Sequence, residues 1–246
     1  MCGRATLTVS AEEIAEIFDV DPIDIGPPRF NLAPTQALVT VRAATREGDP
    51  RSLALVRWGL IPWWAKAEKA KKIGARCVQA RAETAPSSPA YRDAFKRQRC
   101  LVVVDGFYEW KTLPDGRRVP YHVRRSGRAP FAIAGLWDRW KTEGAPIESA
   151  AVLTTPARGE LATVHDRMPL VLPPEQWTAW LDGDADEAQT LLRGSSPAPR
   201  STDDDLVIVP VSTWVNDAKH DDPACIAPAD PETVLLGIKP KRRARA

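Results

Sequence analysis

A chain of 246 residues with 43% hydrophobic and 27% charged side chains is long enough to bury a substantial core, and its composition is that of a globular protein, not a fibrous or disordered one. No apolar run reaches the roughly 20 residues that a membrane helix needs, and 23 prolines argue against long helices and for loops and strand edges. The net charge is only +2 but is unevenly spread: residues 57–118 hold fourteen Lys/Arg against six Asp/Glu, residues 175–205 hold eight acids against two Arg, and residues 239–245 hold five basic side chains. A basic middle and a basic tail suit a polyanionic partner, although solvated faces and a free tail are the usual fate of charge runs.

The four cysteines, Cys2, Cys77, Cys100 and Cys225, are far apart, and none belongs to a Cys-x-x-Cys pair. No secretory apolar segment precedes them. The spacing points away from a disulfide framework or a zinc knuckle and towards a reducing, cytoplasmic compartment. No metal and no organic cofactor is implied.

The chain begins Met1-Cys2-Gly3-Arg4. The small side chain behind Met1 permits its removal, and the mature chain then starts at Cys2, with an amine and a thiol on adjacent carbons. Their ordinary pKa values are roughly 7.7–8.0 and about 8.5, so a useful fraction of each nucleophile exists near neutral pH. A 1,2-aminothiol condenses with an aldehyde. The amine forms a Schiff base, the thiolate adds to the same carbon, and a thiazolidine closes by an attack that gains the advantage of a pre-positioned group. On these four residues alone, a cysteine that merely follows the initiator is the commoner explanation.

Thr6–Val9 alternates like a short strand. Ser10-Ala11-Glu12-Glu13 reads as a capping box opening a helix with Ile14, Ile17 and Phe18 on its apolar face. Asp21–Pro28 is a proline-rich connector, and Arg29–Gln36 has no clean period. Ala37–Ala43 and Ser52–Trp58 are expected as strands about a polar turn at Arg46–Pro50. Gly59 and Pro62 punctuate Arg57–Lys66, which predicts a loop. It carries Trp63 and Trp64 side by side, with lysines following. Paired rings beside cations suit stacking on single-stranded bases, worth roughly 1–3 kcal/mol per base; they suit core cover equally well. A helix is expected from Ser88-Pro89 to Arg99, with Pro at its first position, its Arg92, Lys96, Arg97 and Arg99 extending the basic region. Cys100–Val104 is an unbroken apolar run, the pattern of a buried strand.

Asp105–Lys111 sets Glu109 between Tyr108 and Trp110. A carboxyl in an apolar pocket resists ionisation and can hold a proton near neutral pH, which suits a general acid. A solvent-facing glutamate paired with Lys111 is the competing reading. Leu113–Gly116 is a turn, Tyr121–Arg125 and Ala129–Leu136 fit a hairpin-rich sheet, and Ala150–Thr155 is a further strand. His165 stands between Val164 and Asp166 at a loop end, ahead of Arg167 and the short strand Leu170–Leu172; a histidine there suits acid–base work near pH 7. Pro174–Leu181 and Glu187–Arg193 read as short helices, the second stopped by Gly194. Ser195–Asp205 is a polar loop, Leu206–Val211 a last strand, and the stretch from Trp214 to Pro231 irregular cover. No repeat and no linker divides the chain.

Several blocks recur together: Cys2-Gly3-Arg4, Arg29–Gln36, Arg57–Trp64, Ala80–Thr84, Asp105–Lys111, His165–Pro169 and Val211–Asn216. In this order they resemble the SOS response associated peptidase family, whose members process abasic sites in single-stranded DNA. The resemblance implies an α+β single domain with a barrel-like, mostly antiparallel β core and short flanking helices, spanning residues 1–237, with 238–246 as a basic tail. It implies that Cys2 is the nucleophile, that Glu109 shuttles protons beside it, and that His165 protonates the sugar oxygen on ring opening. It implies that Arg81 and Arg167 hold the phosphates flanking the lesion, for which the forked donors of Arg are suited. Arg4, Asn31 and Pro34 would shape the pocket and backbone path, while Trp63, Trp64 and Trp110 would wedge or stack on the DNA. Two positions depart from the family pattern. Gln79 stands where Asn is usual, keeping the amide but adding a methylene, and Arg158 stands where Asn is common.

The expected function is therefore covalent capture of abasic sites in single-stranded DNA through Cys2, by a monomer with replication-fork proteins as further partners. Two alternatives stay open: a cysteine-dependent peptidase using Cys2, His165 and Glu109, and a single-strand binding module without covalent chemistry.

Overall fold

A computed structural model describes residues 3–44, 49–193 and 205–230. In chain order the elements are β1 (Ala5–Leu7), α1 (Ala11–Phe18), β2 (Arg29–Leu32), β3 (Ala37–Arg42), β4 (Ser52–Trp58), α2 (Ala67–Arg76), β5 (Gln79–Arg81), α3 (Arg92–Arg97) and β6 (Arg99–Val104). There follow β7 (Gly106–Thr112), β8 (Arg118–Arg125), β9 (Phe131–Trp140), β10 (Ile147–Pro156), β11 (Arg167–Pro169), β12 (Val171–Leu172), α4 (Trp177–Leu181), α5 (Ala185–Arg193) and β13 (Leu206–Pro210).

Strand β6 lies at the centre: all six of its residues are buried, and from Cys100 to Val104 every side chain is apolar. It pairs with β3 on one side and β9 on the other. The order β10-β4-β3-β6-β9 closes on itself through the β9–β10 pairing, giving a five-stranded barrel without free edges among those strands. Every pairing in the barrel is antiparallel except β4 with β10. The short β5 continues the parallel pairing further along β10. A second, wholly antiparallel sheet has the order β13-β8-β7-β1-β2. The architecture is α+β in a single domain, with short helices packed around the sheets. No helix among the described residues is long and apolar enough to cross a membrane.

The local signals at α1 are satisfied. Ser10 accepts from the Glu13 amide, and the Glu13 carboxylate accepts from the Ser10 amide. Ile14 and Phe18 are buried, and Phe18 stacks on Trp177 with ring centroids 4.5 Å apart. Ile17, expected on the same face, is 43% exposed.

Two expectations need correction. The helix beginning at Ser88-Pro89 is a run of turns followed by only six helical residues, and Arg99 belongs to β6. The buried Arg99 guanidinium donates to the carbonyls of Phe95 and Lys96 at the end of α3 and of Trp180 at the end of α4, satisfying acceptors that a helix end leaves open. Of the lysines after Trp64, Lys66 caps and Lys69, Lys71 and Lys72 lie on a helix, α2, which pattern reading misses. It presents Ala70 and Gly74 inward. A side chain at Gly74 would meet Ile61 Cγ1 at 2.9 Å and the Gly59 oxygen at 3.0 Å, so α2 docks backbone against the Gly59 loop. The two strands expected at Tyr121–Arg125 and Ala129–Leu136 form, but β8 and β9 lie in different sheets; a hairpin, β7–β8, turns at Leu113–Gly116 as expected. The polar loop up to residue 204, the stop at Gly194 and the basic tail lie outside the described residues.

Candidate active site and nucleic-acid interface

The start of the described chain is held by a clasp. Asp105, at the mouth of β7, is 6% exposed. Its carboxylate accepts from the Thr6 hydroxyl at 2.5 Å, from the Thr8 amide at 2.6 Å and from the Thr8 hydroxyl. The Thr6 hydroxyl also meets His122 Nε2 at 3.1 Å. Burial pushes the His122 imidazole down to about 3, so it is neutral across the physiological range. A side chain at Gly106 would collide with His122 Nε2 at 2.2 Å, which is why glycine stands there.

A second anchor lies nearer the terminus. Arg4 donates to Asn31 Oδ1 at 2.7 Å, to the Val215 oxygen at 2.9 Å and to the Asn216 oxygen at 3.3 Å. Asn31 is fully buried, and its amide nitrogen serves the carbonyls of Val215, Asp217 and His220. Both side chains bind the N-terminal segment to the irregular 213–226 region. The Tyr108 amide then donates to the Arg4 oxygen at 3.0 Å, which sets the start of the described chain beside Glu109. Cys2 precedes Gly3 in the sequence and lies outside the described residues.

Glu109 is completely buried. Burial pushes its carboxyl above the ordinary 4.5, and the charge of His165 acts in the opposite sense. The structure thus brings Glu109 and His165 within electrostatic reach of each other. His165 follows a 3₁₀ turn at Gly159–Thr163, its amide donating to the Leu161 oxygen. Its Nδ1 accepts from the Arg167 amide at 3.0 Å in the neutral ring, which leaves the ring proton on Nε2. The same nitrogen lies 2.8 Å from Asp166 Oδ1, a contact that becomes attractive only when the imidazole is protonated.

Around the end of β10 the strands gather Gln79, Arg81 and Arg167. Gln79 pairs with Val152, Arg81 with Thr154 and Arg167 with Pro156. Gln79 Oε1 is buried with no hydrogen-bond partner among the described residues. Arg81 is exposed. Arg167 is not: its guanidinium grips Glu83 with two bonds of 2.7 and 2.9 Å and donates to the Thr154 oxygen at 2.6 Å. That grip holds the Glu83 carboxyl below its usual range. Arg158 is buried where the chain enters the Gly159–Thr163 turn.

The aromatic residues divide. Trp110 donates its Nε1 to Asn216 Oδ1 at 2.8 Å, and the Arg118 guanidinium stands 5.6 Å from its ring centroid. These two, with Gly3, Arg4 and Asn216, line a cavity of about 330 Å³ beside the N-terminal segment. Trp63 and Trp64 are exposed, at 60% and 45%, on the loop ahead of α2. The Trp63 amide donates to Asp138, which pairs with Ser149 near the start of β10. At about 3.3 Å per residue, that is about 20 Å along the strand from the rows holding Arg81 and Arg167. Pro34 is partly exposed in the turn before β3, where Thr35 has a φ of +79° and donates to the Trp58 oxygen.

A family model described as SOS response associated peptidase (SRAP) matches residues 1–218. The chain belongs to the SRAP family. Among its relatives, abasic site processing protein YoqW of Bacillus subtilis is 36% identical over 233 residues, covering 92% of this chain and 99% of that one. Abasic site processing protein HMCES of Gallus gallus is 27% identical, covering 89% of this chain and 70% of that one. A crystal structure of a Bordetella bronchiseptica protein is 28% identical, with a TM-score of 0.71, over 86% of this chain and all of the other. A Bacteroides thetaiotaomicron protein shares the fold at 22% identity, with a TM-score of 0.78 over 93% of this chain and all of the other.

Sequence reasoning about this SRAP chain passes over Arg118, Asn216 and Asp105. Arg118 is legible once the β7–β8 register is known: Trp110 pairs with Pro120, and Arg118 is its diagonal neighbour. Asn216 and the Asp105 clasp carry no local signal. Among the described residues no three His, Cys, Asp or Glu side chains gather as a metal site would require.

Proposed function

We propose that this protein captures abasic sites in single-stranded DNA covalently through Cys2, once Met1 has been removed. The observation that carries the reading is the placement of Glu109: fully buried, raised in pKa by that burial, within reach of His165, and on the strand that holds the N-terminal segment. A carboxyl shifted in that direction holds its proton more firmly than a solvated glutamate and can hand it on as charge develops nearby.

The chemistry balances as follows. His165 gives a proton to the ring oxygen of the closed deoxyribose as the C1′ hydroxyl gives up its own to solvent, so the C1′–O bond breaks and the aldehyde forms. The Cys2 amine adds to the aldehyde carbon, and loss of water, assisted by the Glu109 proton, leaves a Schiff base. The Cys2 thiol then adds across the C=N bond, its sulfur to carbon and its proton to nitrogen, giving a thiazolidine. Arg81, exposed at the end of β5, supplies positive charge for a flanking phosphate. Arg167 reaches a phosphate only by loosening its grip on Glu83. Trp110, with Arg118 across its face, offers an aromatic wall to the neighbouring nucleotide. Arg4 and Asn31 act by positioning the N-terminal segment, their polar atoms being committed within the fold. The amide of Gln79, with a buried oxygen awaiting a donor, is suited to orient the reacting carbon's substituents.

Incubation of Met1-processed protein with a single strand carrying one abasic site is expected to give an adduct that survives denaturation. The Cys2→Ala variant is expected to give none. An equal yield from that variant overturns the mechanism.

A further inference from the structure

Arg167, the less exposed of the two arginines at the end of β10, already holds an anion. Residues 81–85 turn tightly after β5: the amides of Thr84 and Ala85 both donate to the Arg81 oxygen, at 3.1 and 2.8 Å. Ala82 and Ala85 are buried beneath this turn, so Arg81, Glu83 and Thr84 project outward. From there Glu83 meets the Arg167 guanidinium with both carboxylate oxygens, and the nearby charge of Arg81 favours the same ionised form. A guanidinium recognises carboxylate and phosphate by the same pair of parallel bonds. Glu83 therefore stands where a phosphate would stand.

The Glu83 side chain is 46% exposed and that of Arg167 13%, so the carboxylate is the outer partner and covers the cation. Arg167 has little else to present: a further bond goes to the Thr154 oxygen, and its Nε is buried. A phosphodiester gains Arg167 only by displacing Glu83, one anion exchanged for another. The fold leaves room for that exchange. Glu83 also lines a cavity of about 350 Å³ whose other walls include Gln189 and Arg193 of α5, side chains able to receive the displaced carboxylate.

We propose that Glu83 is a specificity-determining residue: a resident anion that competes with the strand's phosphate for Arg167 and so weakens the reversible hold on every strand. This deepens the abasic-site reading and rests on it for the identity of the incoming anion. An undamaged strand is held by reversible contacts alone, bears the full penalty of the exchange and leaves. A strand joined to Cys2 is held by covalent bonds and stays. Glu83 thus shortens the time spent on undamaged DNA without touching the lesion.

The test compares wild type with Glu83→Gln, which removes the charge and keeps the shape. An undamaged single strand of ~8 nucleotides, within the usual site sizes, is titrated by fluorescence anisotropy at several salt concentrations. Glu143→Gln, an exposed acid between β9 and β10, controls for the change in net charge. Glu83→Gln is expected to bind about three- to fivefold tighter than this control, the factor for a half-exposed ion pair that binding no longer breaks. Its log–log salt slope should steepen by about 0.7, for one more neutralised phosphate. The gain should disappear in an Arg167→Gln background and shrink in Arg167→Lys, which keeps the charge but not the fork. With one abasic site in the strand, excess undamaged strand should halve the adduct rate of Glu83→Gln at an about three- to fivefold lower concentration than for wild type. Binding by Glu83→Gln no tighter than by the control overturns the proposal, and weaker binding would show that the carboxylate aims Arg167 at the phosphate. A gain that persists in full in both Arg167 backgrounds, or equal sensitivity to the undamaged competitor, overturns it too. If wild type forms no adduct yet the binding gain appears, the competition at Arg167 stands and the covalent reading falls; adduct without the gain means the reverse.

Discussion

Two buried carboxylates lie four residues apart on the same stretch of chain, and their surroundings assign them opposite work. Asp105 is ringed by donors: two threonine hydroxyls and an amide converge on it. Its charge is matched where it stands, and it ties β1 to the start of β7. Glu109 is more deeply buried, and burial is the largest influence on its titration, pushing it towards the protonated form. A carboxyl on which several donors converge is a structural pin, whereas one whose ionisation is opposed chiefly by burial is a proton store. The comparison implies that removing charge at the two positions has opposite consequences.

The largest effect is expected at Glu109. Glu109→Gln should slow adduct formation by about 10²- to 10⁴-fold, the usual span for a lost acid–base group. Its stability should move the other way. The folded pKa of Glu109 lies above the unfolded value of 4.5, so ionising it costs stability as pH rises past that value. Relative to wild type, Glu109→Gln should therefore gain stability with rising pH, as chemical denaturation at pH 4 and pH 8 would show. A variant that is inactive and less stable at pH 8 would place Glu109 with Asp105, among the pins.

Asp105→Asn should show the reverse pattern. An amide cannot accept from all the donors now aimed at the carboxylate, and stranded buried donors cost about 1–3 kcal/mol each. Urea denaturation should show a loss of about 2–4 kcal/mol. Adduct formation by the fraction that stays folded should fall less than in Glu109→Gln. Next in size is a pH effect at the same clasp. The His122 pKa falls from 6.5 unfolded to about 3 folded, so its contribution is fully present above pH 6.5 and drains away as pH falls towards 3. His122→Gln should flatten that part of the acid limb. An unchanged acid limb would mean that His122 does not sense the burial assigned to it.

The contrast between the two carboxylates is only half legible in the sequence. Aromatic neighbours on either side of Glu109 announce an apolar setting, and the capping box at Ser10 and the apolar run at Cys100–Val104 announce α1 and β6, because these signals are local. The donors on Asp105 come from Thr6 and Thr8, about a hundred residues away, and Arg4 reaches Val215 across 211 residues. Neither leaves a periodicity to read. The closure of the barrel by β9–β10 and the parallel β4–β10 pairing are likewise decided by which edges remain after the other strands have paired, not by any short stretch. The resemblance to a family supplied what pattern could not, namely the expectation that residues 2, 109 and 165 act together. It did not indicate that Arg167 would be gripped by Glu83, or that Arg118 would stand against Trp110.

Arg118 supplies the smallest and most discriminating prediction. It is exposed at the mouth of the cavity that Gly3, Arg4, Trp110 and Asn216 complete, and its guanidinium faces the Trp110 ring. An exposed cation–π contact is worth about 0.5–1 kcal/mol, so Arg118→Ala should leave the urea midpoint nearly unchanged. If the cavity receives the nucleotide beside the lesion, the same variant should weaken non-covalent binding of a short single strand by about three- to tenfold, through loss of one phosphate contact and of support for the stacking ring. Arg118→Lys, which keeps the charge but not the planar face, should recover the salt dependence and only part of the affinity. Full recovery by lysine would mean that charge alone acts there, and that Trp110 serves as cover for Tyr108 and Asn216 and not as a surface for a base.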